Sequence, residues 1–412
     1  MTRRLSLLLA IVCGISFSLS LQAQRPADWT QWRGPNRDGA APFTVPPSWP
    51  EKLTQKWKLE VGTGYATPIV VGNRVYVFAR QGENEVMMAL DADTGKAIWK
   101  NAGYPAIFTM QSAAARHGPG PKSTPAFSNG RLFTIGMTGV VTAWDANTGK
   151  QVWQKPGDTA NMPMFTSHAF SPVVDRGLVI FHLGGNGGGA ITAFDVNTGA
   201  EKWSWKGDGP GYGSPVVADI AGTRQVITIT QKMLVGLDAA TGAVLWERAW
   251  ASPNQTNSIT PVVHGQNIIV AGNGDPTTEF SIARRDGKWL VDTVWRNEEI
   301  PMRMSNPVLV GDTLYGMSTR NSGQYFAVDA RSGKTLWLSE GRQAGNVALA
   351  TAGAVLLSLE NDGELVVLRA SQTGFEPLKR YKLADAETWT QGVYAGNRVL
   401  VKDVTTLALW TL

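Results

Sequence analysis

Cysteine is almost absent: Cys13 is the only one among 412 residues, and it lies inside an apolar run near the N-terminus. The chain beyond that run has no disulfide, no thiolate metal site and no attachment point for a c-type haem. Histidine is scarce as well, with four residues and no close pair such as His-x-His to fix metal-ligand geometry. Neither sign of charge dominates. The 38 Lys and Arg face 33 Asp and Glu, and losing Arg3 and Arg4 with a leader leaves 36 against 33, a net charge of +3. That balance is too near neutral to indicate a nucleic-acid or anionic-membrane partner. No nucleotide fingerprint and no Ser-His-Asp or Cys-His motif is present.

The opening "MTRRLSLLLAIVCGISFSLSLQAQ" places Arg3 and Arg4 before the apolar run and ends in small and polar residues near Ala23. This is the pattern of a secretory signal over residues 1–23. A retained anchor helix would need a longer run, free of serines. Acylation of Cys13 would need a small residue where Val12 stands. The mature protein is therefore expected to be secreted, periplasmic or extracellular, monomeric, and without a transmembrane segment.

What is plentiful is glycine, with 45 residues, and tryptophan, with 16, against 43% hydrophobic residues overall. They recur in one phrase: "ALDADTGKAIW" (Ala89–Trp99), "AWDANTGKQVW" (Ala143–Trp153), "AFDVNTGAEKW" (Ala193–Trp203), "GLDAATGAVLW" (Gly236–Trp246) and "AVDARSGKTLW" (Ala327–Trp337). The aspartate can accept backbone N–H groups of the turn that follows it. The glycine can take the positive φ of a bulged three-residue hairpin. The tryptophan then falls at one fixed point of an outer strand. One hairpin cannot bury such a ring alone, but a neighbouring copy can.

Upstream of each phrase lies a second unit, such as "TPIVVGNRVYVF" or "SPVVDRGLVIFH", which reads as two strands about a polar turn. Proline suits the start of its first strand. The two units together make a four-stranded antiparallel sheet. Degenerate copies follow: "RRDGKWLVDTVW" lengthens the turn, and "LRASQTGFEPLKRY" puts Ala370 at the aspartate position and Tyr381 near the tryptophan position. The C-terminal copy has inner strands alone, and "TQKWKLEVG" (Thr54–Gly62), with Trp57, supplies its missing outer strand. Sheets open at Thr67, Thr124, Ser171, Ser214, Thr260, Asn306 and Asn346, with the C-terminal one the eighth. The spacing predicts an all-β, eight-bladed β-propeller over residues 54–412, at about 45 residues per blade. Its N-terminal strand closes the C-terminal blade. The docking tryptophans are Trp57, Trp99, Trp153, Trp203, Trp246, Trp295 and Trp337. Residues 24–53 form an extended Trp/Pro-rich prelude expected to pack on the propeller, because Trp29, Trp32 and Trp49 would be costly to expose.

The phrase Ala-x-Asp-x-x-Thr-Gly-x-x-x-Trp resembles the tryptophan-docking repeat of the pyrroloquinoline quinone (PQQ)-like propeller superfamily. That superfamily includes quinoprotein alcohol dehydrogenases and the BamB-like propellers of outer-membrane β-barrel assembly. The prelude "DWTQWRGPNRDG" is similar to the opening of stand-alone secreted members. For the dehydrogenases the resemblance implies PQQ with calcium in the central channel, stacked between a tryptophan and a vicinal disulfide, with an aspartate base. Without cysteine that disulfide cannot form. The repeat aspartates are committed to outer turns, and Glu298 and Glu299, the best remaining carboxylate pair, point apart in extended chain. A non-catalytic scaffold for a protein partner or small cell-envelope ligand, needing no cofactor or metal, is the expected reading. A PQQ-dependent dehydrogenase of alcohols or sugars is the alternative.

Loop lengths locate the binding face. The repeat turns are short and share one face, whereas the connections Asn101–Ser123 and Lys155–His168 are long and lie on the other, beside the glycine-rich "LGGNGGGA". Arg116, His117, Lys122, His168, His182, Arg303, Arg342 and Trp389 are the candidate binding residues on that face. His117, His168 and His182 fall in one sector, which leaves a metal or proton-transfer site conceivable, and Trp389 is a candidate stacking plate for the channel.

Overall fold

The computed structural model describes residues 28–163, 165–251, 256–272 and 275–412. The signal segment expected over residues 1–23 lies outside them. Eight antiparallel sheets form among the described residues. The first contains Ile69–Val71, Arg74–Gln81, Asn84–Asp91 and Ala97–Lys100, paired in chain order. Neighbouring inner strands touch at several junctions, including Ile69–Val71 against Val393–Ala395, where the first blade meets the last and closes the ring. The last blade has the order Thr54–Glu60, Thr406–Thr411, Arg398–Lys402, Val393–Ala395, with Trp57 opposite Leu409. An early segment thus supplies the outer strand of a late blade and ties the two ends of the ring together.

The repeated phrase builds what its residues call for. Asp145 Oδ1 accepts the N–H groups of Asn147 and Thr148 and the Thr148 hydroxyl, at 3.1, 2.9 and 2.9 Å. Asp91, Asp195, Asp238 and Asp329 do the same in their turns. The pairing slips by one residue just before each tryptophan, as a bulge requires. Each indole then lies against the next blade and donates Nε1–H to a carbonyl there: Trp57 to Ala92, Trp99 to Ala146, Trp153 to Val196, Trp203 to Ala239, Trp295 to Ala330 and Trp337 to Ser371. Burying an indole removes on the order of 200 Å² from water, a gross gain of about 5 kcal/mol per blade junction.

Four details differ from expectation. Trp246 packs between blades four and five but donates to Gln225 Oε1 of its own blade at 2.7 Å. The reason is that blade five has no Asp-x-x-Thr-Gly turn to offer a carbonyl. Its turn is not lengthened either: Asp275–Arg285 and Lys288–Asn297 are long strands joined by the tight pair Asp286-Gly287, with φ of 50° and 77°. Positive φ at both positions is the hairpin geometry that Asp-Gly favours. In blade seven the bulge after Val367 sets Lys379, not Tyr381, in register with the docking tryptophans. Tyr381, two residues on and on the same face, is buried and donates to Pro50 O at 2.7 Å. Blade one, finally, carries a fifth strand, Tyr104–Pro105.

Candidate functional site

The prelude runs through the middle of the ring. Trp29 exchanges backbone hydrogen bonds with Val70 of blade one, and Thr30 O accepts from Phe127 N–H of blade two. The Arg37 guanidinium donates to Ser171 O and Pro172 O of blade three and to Pro215 O of blade four, at 3.1, 2.8 and 2.9 Å. Trp32 Nε1 donates to Thr260 Oγ1 of blade five at 3.2 Å, and Arg33 Nη2 to Pro307 O of blade six at 2.6 Å. Gly39 and Ala41 bond Thr351 of blade seven, and Pro42 and Thr44 bond Gly396 of blade eight. The segment thus bonds every blade in turn. Arg33 and Arg37 hold left-handed backbone, φ 60° and 62°, which persists where surroundings over-determine it. Burial lowers the pKa of Arg33 to about 10 and of Arg37 to about 9, Asp38 partly opposing the first and Arg33 adding to the second.

Above the prelude a belt of side chains links the inner strands. Thr124 N–H donates to Ser171 Oγ, Ser171 N–H to Ser214 Oγ, Ser214 N–H to Thr260 Oγ1, and Thr260 N–H to Asn306 Oδ1, at 2.9, 2.9, 3.2 and 2.7 Å. Gln391 N–H closes back onto Thr67 Oγ1 at 3.0 Å. The sequence marks these residues as sheet openings but assigns a role only to the proline that follows. The recurrence of Thr, Ser or Asn before it was the available signal.

The belt is the lower wall of a funnel of about 520 Å³ in the centre of the long-loop face. Every connection between blades contributes to its lining: Tyr65; Ala114, Arg116, His117 and Lys122; Phe165, Thr166 and Ala169; Tyr212 and Ser214; Thr256 and Ser258; Arg303, Met304 and Asn306; Asn346; Trp389. Trp32 of the prelude is the floor. Of the candidate residues, Arg116, His117, Lys122, Arg303 and Trp389 are brought together here. His117 stands edge-on to Trp389 with ring centroids 4.9 Å apart, and the Arg116 guanidinium sits 5.5 Å from the centre of the Trp389 ring. Lys122 Nζ donates to Gly118 O and Gly120 O at 2.9 and 3.2 Å, and burial lowers its pKa to about 8 against the opposing charge of Glu85.

The other candidates are elsewhere. Arg342 is exposed and does not line the funnel. His168 and His182 are buried against carbonyls, Nε2 of each lying 3.1 Å from Gly184 O and Asp208 O, and burial lowers both pKa values to about 4. They therefore do not converge with His117. Among the described residues no group of three His, Cys, Asp or Glu side chains is placed to hold a metal.

The PQQ–calcium pair that the resemblance implies can be tested against this lining. Trp389 offers a plate for a flat ring. Calcium asks for converging anionic oxygens, however, and the lining has three cations and no carboxylate among the described residues. Glu85 is fully buried with Oε1 on Met137 N–H, Glu387 Oε2 is taken by Trp389 Nε1–H, and Glu298 and Glu299 are exposed off the funnel. The donor set does not fit the metal-bound cofactor.

The family model described as outer membrane protein assembly factor BamB matches residues 82–339. The BamB assembly factor of Yersinia pestis is 27% identical over 255 residues, covering 58% of this chain and 61% of that protein, so the chain spans about three fifths of that relative. Among solved structures, BamB from Moraxella catarrhalis matches with a TM-score of 0.62 at 17% identity, over 87% of this chain and 98% of that one. The quinohemoprotein alcohol dehydrogenase of Pseudomonas putida HK5 matches with a TM-score of 0.64 at 15% identity, over 94% and 80%. At such identities the structural likeness speaks for the fold alone.

Proposed function

Since the chain belongs to the PQQ-like repeat family described as outer membrane protein assembly factor BamB, we propose that it is a binding scaffold of the cell envelope. It works outside the cytoplasm, periplasmic or secreted, as a monomer, and presents its funnel face to a protein or small envelope ligand. The observation that carries this reading is the funnel itself. It is built from every blade connection, floored by Trp32, and lined by Arg116, Lys122 and Arg303 with aromatic side chains rather than by a constellation of acids and bases. Long loops on a rigid scaffold are where recognition is placed.

The test is retention of envelope components from the producing organism on immobilised mature protein and on an R116E/R303E variant. Retention by the first, lost in the second while its melting temperature is kept, supports the reading. Equal retention by both overturns it. The dehydrogenase reading keeps one favourable observation, the Trp389 plate at the channel mouth. Stoichiometric binding of added PQQ and calcium with alcohol- or sugar-dependent dye reduction would establish it in place of the scaffold.

A further inference from the structure

Five basic side chains stand around the channel axis, and like Arg74, Arg80 and Arg248 further out they have no carboxylate partner among the described residues. On the outer surface Arg131, Arg224, Arg380 and Arg398 each pair with a carboxylate. Around the axis Arg33, Arg37, Arg116, Lys122 and Arg303 make no ion pair among the described residues. The acids that face them stand further off: Asp38 and Glu85 act on Arg33 and Lys122 through space, and Glu387 lies at the rim beside His117. Arg33 is 1% exposed and its Nε and Nη1 have no hydrogen-bond partner. Arg116 and Arg303 stand exposed in the funnel lining, where their charge draws anions toward the opening.

Charge alone does not explain the lining. Beside the cations stand neutral polar groups, notably the Thr166 hydroxyl and the Asn346 Nδ2, and flat plates, notably Tyr65, Tyr212 and Trp389. The Asn306 amide, by contrast, is held in the belt, accepting from Thr260 N–H and donating to Met304 O. A bare inorganic anion would leave the plates unused. An aromatic acid would use the plates and the cations but bring no hydroxyls to the Thr166 hydroxyl and the Asn346 Nδ2. A peptide would bring backbone groups that want a strand edge, whereas this wall is made of side chains. A pyranose matches all three elements: hydroxyls for the Thr166 hydroxyl and the Asn346 Nδ2, an apolar ring face for an aromatic plate, and an acidic substituent for arginine. About 520 Å³ lies within the range of small-ligand sites. Because Trp32 closes the lower end, a polymer cannot thread through and only a chain end or short fragment can enter.

We infer that the funnel is a binding site for the end of an acidic saccharide, carrying a uronate carboxylate or a sulfate ester. This rests on the funnel being the recognition face, as proposed above.

The test titrates the purified mature protein with digalacturonate, its dimethyl ester, a sulfated lactose and phthalate, followed by calorimetry and tryptophan fluorescence. The expected result is one-to-one binding of at least one acidic disaccharide, and which of the two binds identifies the acid group. If it is digalacturonate, its ester should bind at least about tenfold more weakly, as loss of a charge-assisted bond dictates. R303Q should weaken the acidic disaccharide by about the same factor, and W389A should remove most of the fluorescence change, both with unchanged melting temperature. The inference is overturned if neither acidic disaccharide binds, if the ester matches digalacturonate, or if phthalate matches the better disaccharide. If the disaccharides fail while R116E/R303E still loses its envelope partner, the scaffold reading survives and the saccharide falls.

Discussion

The Trp153 ring lies on the backbone of Gly199 in the next blade, where an added Cβ would stand 2.7 Å from ring atom Cδ2. Gly199 also has φ of 68°, so the Thr-Gly step is needed twice: for the turn, and for the approach of the preceding blade's indole. Gly72 separates the two requirements, since its φ is 60° but a Cβ added there would meet nothing within 4 Å. Gly72→Ala should cost about 1 kcal/mol, the strain of left-handed backbone. Gly199→Ala should cost about 2–4 kcal/mol, because steric overlap adds to that strain. Urea unfolding midpoints of the two variants measure the difference, and equal midpoints would contradict it.

Trp57 holds the seam where the chain's early strand meets its last blade. Trp57→Ala should cost about 3–5 kcal/mol, as for other large-to-small core changes. The loss should be uneven. Amide exchange should rise first in Thr54–Glu60 and Thr406–Thr411, while blades two to six keep their protection.

Arg37 joins blades three and four through three carbonyls. Arg37→Met should destabilise the protein by roughly 3–5 kcal/mol, since buried carbonyls lose charge-assisted donors. Arg37→Lys should recover little, because an ammonium cannot span the fork that a guanidinium fills. Exchange at Val173–Asp175 and Val216–Ile220 reports the local effect.

His168 and His182 are folded as neutral groups, with pKa values lowered by burial to about 4. A lowered folded value means that the unfolded chain takes up protons first as pH falls. Their contribution to stability is therefore complete above about pH 6.5 and is lost between there and pH 4, by up to about 3 kcal/mol each. Glu85 and Glu360 act oppositely, because burial raises both to about 7 and their protonation favours the fold as pH falls. The wild-type curve alone therefore mixes the two effects. The difference in unfolding free energy between wild type and H168N/H182N should shrink from pH 7 to pH 4, and a constant difference would refute the assignment.

The propeller was legible because each phrase states its own local structure. Aspartate, Thr-Gly and tryptophan at one spacing specify a capped, bulged hairpin, and repetition specifies the neighbour it packs on. Where the phrase decays, legibility decays with it. Asp286-Gly287 carried the signal of a tight turn but broke the expected spacing, and Tyr381 lay two residues past the register of its fellows. At the site, the cations and Trp389 were recognisable from their place in long connections. The burial of His168 and His182 was not, because it depends on carbonyls of Gly184 and Asp208 that no local pattern announces.

The sequence by itself determined the number of blades, the closing strand and the face that carries the long loops, since all three follow from short-range pattern repeated along the chain. Only the tertiary structure decided that the prelude occupies the channel, that Trp32 floors a funnel, and that five cations gather around one axis with no carboxylate partner among the described residues. Those features arise where eight blades converge. A side chain there is fixed by groups from tens to hundreds of residues away, as Arg33 is by Pro307, and no single repeat contains the space that they enclose.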